Sequence, residues 1–117
     1  MPGENIKISH QASEKGTVIV KVEGDIDAHT TKVLQKSVGE IFKQGKYRLI
    51  FDVSNVGYMS SAGASLFIVI MNEAKENAGN MVLMNVQPGV KNVFDLLGLS
   101  PMFLIVENLR TALSAFQ

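Results

Sequence analysis

The sequence predicts one α/β domain over residues 1–117, with a mixed, mostly parallel sheet of about five strands and four helices in the order β-β-α-β-α-β-α-β-α. Three observations carry this. The hydrophobic period changes from two to helical spacing between Val22 and Leu34. A nearly continuous apolar run, Leu49-Ile50-Phe51-Asp52-Val53, has the character of a central strand. From there, helix-like and strand-like segments alternate to the end of the chain.

In order along the chain, Ile6 and Ile8 alternate with Lys7 and Ser9, as a half-buried strand does. Ser13-Glu14-Lys15-Gly16 is a turn signal, and Val18, Val20 and Val22 form a second alternating strand. Strands joined so closely are antiparallel, which sets the first at an edge. From Ala28 to Gln44 the apolar residues Leu34, Val38, Ile41 and Phe42 keep helical spacing, with Asp27 as N-cap and Gly45 as stop. After the central strand, Ser61 to Ala78 reads as a helix apolar around much of its circumference and hence well buried. Met81 to Val86 is a further buried strand. Pro88 then opens a helix with Val90, Val93, Phe94 and Leu97 on one face and Gly98 as its stop. Phe103 to Val106 is a short strand, and Leu109, Ala112, Leu113 and Phe116 line a last amphipathic helix. Met102 and Phe103 are assigned to core packing.

Composition narrows the function classes. Lys plus Arg equals Asp plus Glu at 11 each, so there is no basic surplus of the kind that tracks nucleic-acid phosphates. Cysteine is absent, which removes disulfides and thiolate metal sites. The segment Met1-Pro2-Gly3-Glu4-Asn5 lacks the blocks of a signal peptide, and the apolar stretch Ala62–Met71 is too short to span a bilayer. The expectation is a soluble cytoplasmic protein that needs neither cofactor nor metal, inserts in no membrane and binds no nucleic acid directly.

Catalytic signals are weak. A nucleophile elbow requires glycine two residues before its serine, where Met59 stands before Ser61. His10 and His29 share no metal-ligand spacing, and a Ser61–His29–Asp52 triad has no support in the spacing. Neither a Walker loop nor a dinucleotide fingerprint is present. In Gly24-Asp25-Ile26-Asp27 the two carboxylates point to one side. Asp25 reads as solvated, and Asp27 as a cap that can also serve an interface.

Ser60 and Ser61 carry the most informative chemistry. They open a helix whose first residues, Ala62, Gly63 and Ala64, are small, and they follow apolar Tyr58 and Met59. A serine here caps the helix, because its oxygen satisfies a free backbone N–H. It can also be a phosphoacceptor. The helix dipole and free N–H groups accommodate a phosphate at about 0.3–1 kcal/mol in its favour when exposed. On a protein interface the same group is repelled and has to be desolvated. Such a domain stays folded while its binding is lost.

At these residues the chain resembles the bacterial anti-sigma factor antagonists, single-domain proteins of the STAS superfamily. Gly24-Asp25-Ile26-Asp27-Ala28-His29-Thr30 is similar to the family's segment before the first helix. The run from Asp52 through Tyr58-Met59-Ser60-Ser61-Ala62-Gly63 is similar to its phosphorylation-loop signature. Pro88 to Leu99 is similar to its third helix. Carried over by position, the phosphoaccepting serine falls on Ser61, with Ser60 in place of the family's usual aspartate and as the alternative acceptor. The resemblance implies a partner surface of Asp27, Tyr58, Met59, Ser60, Ser61, Ala62 and Gly63. It implies a partner-switching role. The unphosphorylated form binds an anti-sigma factor that is also a serine kinase of the histidine-kinase-like ATPase fold, releasing a sigma factor. A PP2C-type phosphatase restores that form. The alternative keeps the fold and changes the target, to a sensor-kinase or cyclase pathway or a lipid-transporter complex; a retained serine favours phosphorylation over a passive subunit.

Overall fold

The computed structural model describes residues 6–116, so Met1–Asn5, where the signal-peptide blocks are absent, lies outside the described residues. Strand β1 (Ile6–Ala12) pairs antiparallel with β2 (Val18–Gly24), and β2, β3 (Arg48–Asn55), β4 (Asn80–Met84) and β5 (Leu104–Val106) run parallel in one sheet of order β1-β2-β3-β4-β5. The parallel strands are joined through α1 (Thr31–Lys43), α2 (Ser61–Glu76) and α3 (Pro88–Leu96), and α4 (Leu109–Ser114) follows β5. The mixed sheet, the edge position of β1 and the central position of β3 follow the sequence expectation.

Each crossover advances by one strand in the same direction. Right-handed connections therefore put α1, α2 and α3 on one face. The buried residues of this face form one core: Val18, Val20 and Val22 of β2, Leu49, Phe51 and Val53 of β3, and Met81 and Leu83 of β4, met by Leu34 and Val38 of α1, Phe67 and Ile70 of α2, and Phe94 of α3. Phe51 and Phe67 meet edge to face with centroids 5.0 Å apart, which locks α2 onto the middle of the sheet. The alternate residues Ile50, Val82, Met84 and Val106 point to the opposite face, where α4 covers them with Ala112 and Phe116. Burial on both faces explains why β3 reads as a run rather than an alternation.

Several boundaries shift. Helix α1 begins at Thr31, because Ala28–Thr30 form a preceding turn. Strand β4 ends at Met84 rather than Val86, since Asn85 adopts a left-handed backbone (φ 63°) that leaves the extended conformation. Helix α2 stops at Glu76; Ala78 is left-handed, and Gly79 passes so close to the Tyr47 carbonyl that a Cβ there would collide with it. Leu97 is 45% exposed instead of lying on the buried face of α3, because that helix ends at Leu96. Phe103 is buried but precedes β5, whereas Met102 is exposed. Among the described residues, no helix is long and apolar enough to cross a membrane.

Candidate functional site

The site forms where β2 and β3 end. Beyond the paired part of these strands, Ile26 and Met59 form an isolated parallel bridge. The Ile26 N–H donates to the Tyr58 carbonyl at 2.9 Å, and the Ser60 N–H donates to the Ile26 carbonyl at 2.8 Å. The segment before α1 and the loop before α2, separated by over thirty residues, are thereby fastened together. Ile26 and Met59 are both buried.

Gly63 shows how close the contact is. A Cβ on it would lie 2.7 Å from Ile26 Cγ2 and 3.0 Å from Met59 Cγ, so only glycine lets the first turn of α2 rest on this bridge. Met59 and Gly63 belong to the support of the site. Their assignment to the partner-contact surface is corrected: at 1% exposure Met59 has no surface to offer, and Gly63 is buried against it. Tyr58, 53% exposed, and the exposed Ser61 and Ala62 form the accessible part.

The two serines divide the chemistry. Ser60 is the N-cap of α2, in extended conformation, and its Oγ accepts the Gly63 N–H at 3.2 Å. Its carbonyl accepts the Ala64 N–H at 3.1 Å. Ser61 is the first helical residue and exposed, and its hydroxyl bonds to no other described residue. With the Ser60 and Gly63 N–H groups engaged, those of Ser61 and Ala62 have no partner among the described residues and are the open donors of the helix start. A group attached to Ser61 Oγ therefore stands in solvent, at the positive end of a 16-residue helix.

Asp27 acts locally as a cap, on the turn ahead of α1. Its Oδ1 accepts the N–H groups of His29 and Thr30, both at 2.8 Å, while the Thr30 hydroxyl oxygen accepts the Asp27 N–H at 2.9 Å and donates to the Asp25 carbonyl at 2.7 Å. This reciprocal pairing is a capping box with threonine in the third position. The backbone N–H of Thr30, then that of His29, hold the Asp27 carboxyl below the ordinary aspartate range, so it is ionised at neutral pH. Asp25 is exposed. On the other side, the Gln87 side-chain amide donates to the Ser54 carbonyl at 2.7 Å and ties the start of α3 to the end of β3.

The structure separates the members of the drawn triad. Asp52 alternates with Phe51 and so lies on the α4 face, across the sheet from α2, where its Oδ1 accepts the Ser54 N–H. His29 is exposed in the turn before α1, and no hydrogen bond joins it to Ser61 or Asp52. His10 is exposed on β1. Ile26, Thr30 and Gln87 are the residues sequence reading missed. The first two sit in a motif already singled out, but nothing in an apolar residue between two aspartates announces a bridge to Met59.

The family model for the STAS domain matches residues 10–112, nearly the whole chain. The chain belongs to the STAS domain family. Among curated proteins, it is 27% identical over 88 residues to the anti-sigma-B factor antagonist of Staphylococcus epidermidis, covering 75% of this STAS chain and 82% of that protein. Among solved structures, an anti-sigma factor antagonist from Mycobacterium paratuberculosis superposes with a TM-score of 0.84 at 23% identity, covering 95% of this chain and 93% of that one. The antagonist SpoIIAA in its unphosphorylated form matches with a TM-score of 0.76 at 24% identity, over 93% of this chain and 95% of that one. The Bacillus SpoIIAA in its phosphorylated form matches with a TM-score of 0.72 at 22% identity, over 95% and 100%. These structural likenesses support the same five-stranded fold.

Proposed function

We propose that the chain, as a single STAS domain over residues 1–117, is an anti-sigma factor antagonist working by phosphorylation-controlled partner switching, with Ser61 as the acceptor. The observation that carries this reading is the division between the two serines. Ser60 is occupied as the cap, and Ser61 presents a free hydroxyl at the first helical position. Relatives named as antagonists of anti-sigma-B and anti-sigma F factors support it.

In this reading the unmodified surface of Tyr58, Ser61 and Ala62, with Asp27 beside it, binds an anti-sigma factor that is also a serine kinase of the histidine-kinase-like ATPase fold, and a sigma factor is released. Phosphorylation adds a charge of about −1.5 to −2 at neutral pH. The open N–H groups of Ser61 and Ala62 and the α2 dipole accommodate that charge within the domain, and no buried contact is lost. Across a desolvated interface it is strongly unfavourable. A PP2C-type phosphatase resets the switch. ATP and metal belong to these partners, the domain acts in the cytoplasm, and its part is to bind rather than to catalyse.

Intact-mass spectrometry with phosphosite mapping, on protein isolated from its native cells under resting and stressed conditions, tests this. The expected result is a single phosphate on Ser61 whose occupancy changes with condition. A chain unmodified throughout, or modified only at Ser60, removes the basis for the reading.

A further inference from the structure

The α4 face of the sheet carries a cleft. Helix α4 packs over β4 and β5, and between its first residue, Leu109, and strand β1 a space of about 320 Å3 opens across β2 and β3. The register sets Ser9, Lys21, Asp52 and Met84 in one row over the strands β1 to β4. All four line the cleft, with Ile19 on the same face of β2 and His10 at the β1 rim.

The middle of this row is charged. Lys21 and Asp52 stand opposite each other on adjacent strands, about 4.8 Å apart across the ladder. Opposite charges so placed commonly pair with each other. Here they do not. The Asp52 carboxylate accepts the Ser54 N–H through Oδ1 at 3.1 Å, and its second oxygen has no partner among the described residues; nor has the Lys21 ammonium. On the far side of Asp52 the lining turns apolar. Met84 is next in the row, and Leu109, 38% exposed, bounds that end.

We propose that this cleft binds the zwitterion of an α-amino acid with an apolar side chain. The ligand's carboxylate meets the Lys21 ammonium, its ammonium meets the open oxygen of Asp52, and its side chain rests on Met84 and Leu109. Both charged groups of such a ligand sit on one carbon, so their counter-charges have to lie side by side, as one strand spacing sets them. A simple carboxylic acid leaves Asp52 facing a like charge, and a simple amine does the same at Lys21. The volume is at the low end for a small-molecule site. Lys21 is exposed and Asp52 half-buried, so the charge pairs stay partly solvated and the Kd is on the order of a millimolar. The site lies across the sheet from α2 and uses neither Ser61 nor a protein partner, so it stands or falls independently of the partner-switching reading.

Titration of the full chain at neutral pH with L-leucine, followed in two-dimensional amide NMR spectra up to about 20 mM, tests this. Isocaproate and isoamylamine, which are leucine without its ammonium and without its carboxylate, are the comparison ligands. The expected result is a saturating shift centred on Lys21, Asp52, Met84 and Leu109, with leucine bound at least threefold more tightly than either comparison ligand. Lys21→Gln, and Asp52→Asn, which keeps the acceptor for the Ser54 N–H, should each weaken leucine at least threefold. Asp52→Asn should not weaken isocaproate, which has no ammonium to lose a partner. The absence of a saturating shift at the cleft overturns the proposal. So does a comparison ligand bound as tightly as leucine, a result that needs no variant to fold, or leucine binding that either variant leaves unchanged.

Discussion

The Ser60 N–H donates to the Ile26 carbonyl at 2.8 Å, and this bond makes the turn ahead of α1 and the start of α2 one structural unit. Ser61, the proposed phosphoacceptor, and the acidic segment are thus set by a shared backbone contact rather than by two independent loops. Gly63, above the same contact, has no room for a methyl group.

Gly63→Ala is therefore expected to be destabilising, although alanine is the better helix former. The helix gains about 0.5–1 kcal/mol from the exchange. Forcing the Cβ to 2.7 Å from buried Ile26 Cγ2 and 3.1 Å from the Ile26 carbonyl oxygen costs about 1–3 kcal/mol, because a side chain and a backbone atom of the bridge must both give way. Urea denaturation gives the balance. A variant as stable as the wild type means that α2 does not rest on Ile26 as described.

The two serines should respond in opposite ways to truncation. Ser60→Ala leaves the Gly63 N–H without its partner and is expected to cost about 0.5–2 kcal/mol of stability. Ser61→Ala removes an exposed hydroxyl that holds nothing, so its stability should stay within about 0.5 kcal/mol of the wild type while phosphate incorporation is lost. Denaturation midpoints and phosphosite mapping on both variants separate the roles. Equal destabilisation by the two contradicts the assignment of the cap to Ser60 alone.

Asp27 links the acidic segment to pH. Its carboxyl is held below the ordinary range by the Thr30 and His29 N–H groups, so the unfolded chain takes up the proton first as pH falls. The stabilisation is fully present above the ordinary aspartate pKa and is lost as pH drops through the lowered folded value. Asp27→Asn keeps a capping oxygen and deletes the titration. Urea midpoints measured from neutral to strongly acidic pH should show the wild type ahead of this variant at neutral pH, with the gap closing in acid. Asp95, also lowered, by the Ser100 hydroxyl and then Lys91, is common to both proteins and cancels. A gap independent of pH would mean that the carboxylate charge contributes nothing at the turn.

Much of the fold was legible because strand and helix periods differ and the turn residues are emphatic: Val18, Val20 and Val22 alternate, Leu34, Val38 and Ile41 follow helical spacing, and all are buried as that pattern requires. The errors lie where local pattern meets a tertiary constraint. Val86 continues the apolar run of β4, yet a left-handed Asn85 ends the strand. Leu97 has the right spacing for the core face of α3 and falls beyond its last residue. At the site, the position of a helix start was readable, but not which serine caps it, since either has the required chemistry and the choice depends on backbone angles. The resemblance puts Met59 in the partner surface beside Tyr58, yet its side chain is buried. The bridge to Ile26 that buries it spans two segments distant in sequence.

That last contrast yields a prediction on the partner surface itself. Tyr58 and Met59 are adjacent, one 53% and the other 1% exposed, so truncating each to alanine separates binding from folding. Met59→Ala opens a cavity beneath the loop and is expected to cost about 2–5 kcal/mol of stability. Tyr58→Ala removes an exposed ring and should leave stability within about 0.5 kcal/mol of the wild type. If the ring is an anchor of the proposed interface, its loss weakens binding to the anti-sigma partner by at least about 1 kcal/mol, roughly fivefold or more, with tyrosine among the residue types that dominate such contacts. Calorimetric titration of the unphosphorylated variant against that partner, paired with its melting curve, reads both effects. Unchanged binding by a fully folded Tyr58→Ala would move the contact surface off the loop and onto the exposed side of α2 around Ser65 and Val69.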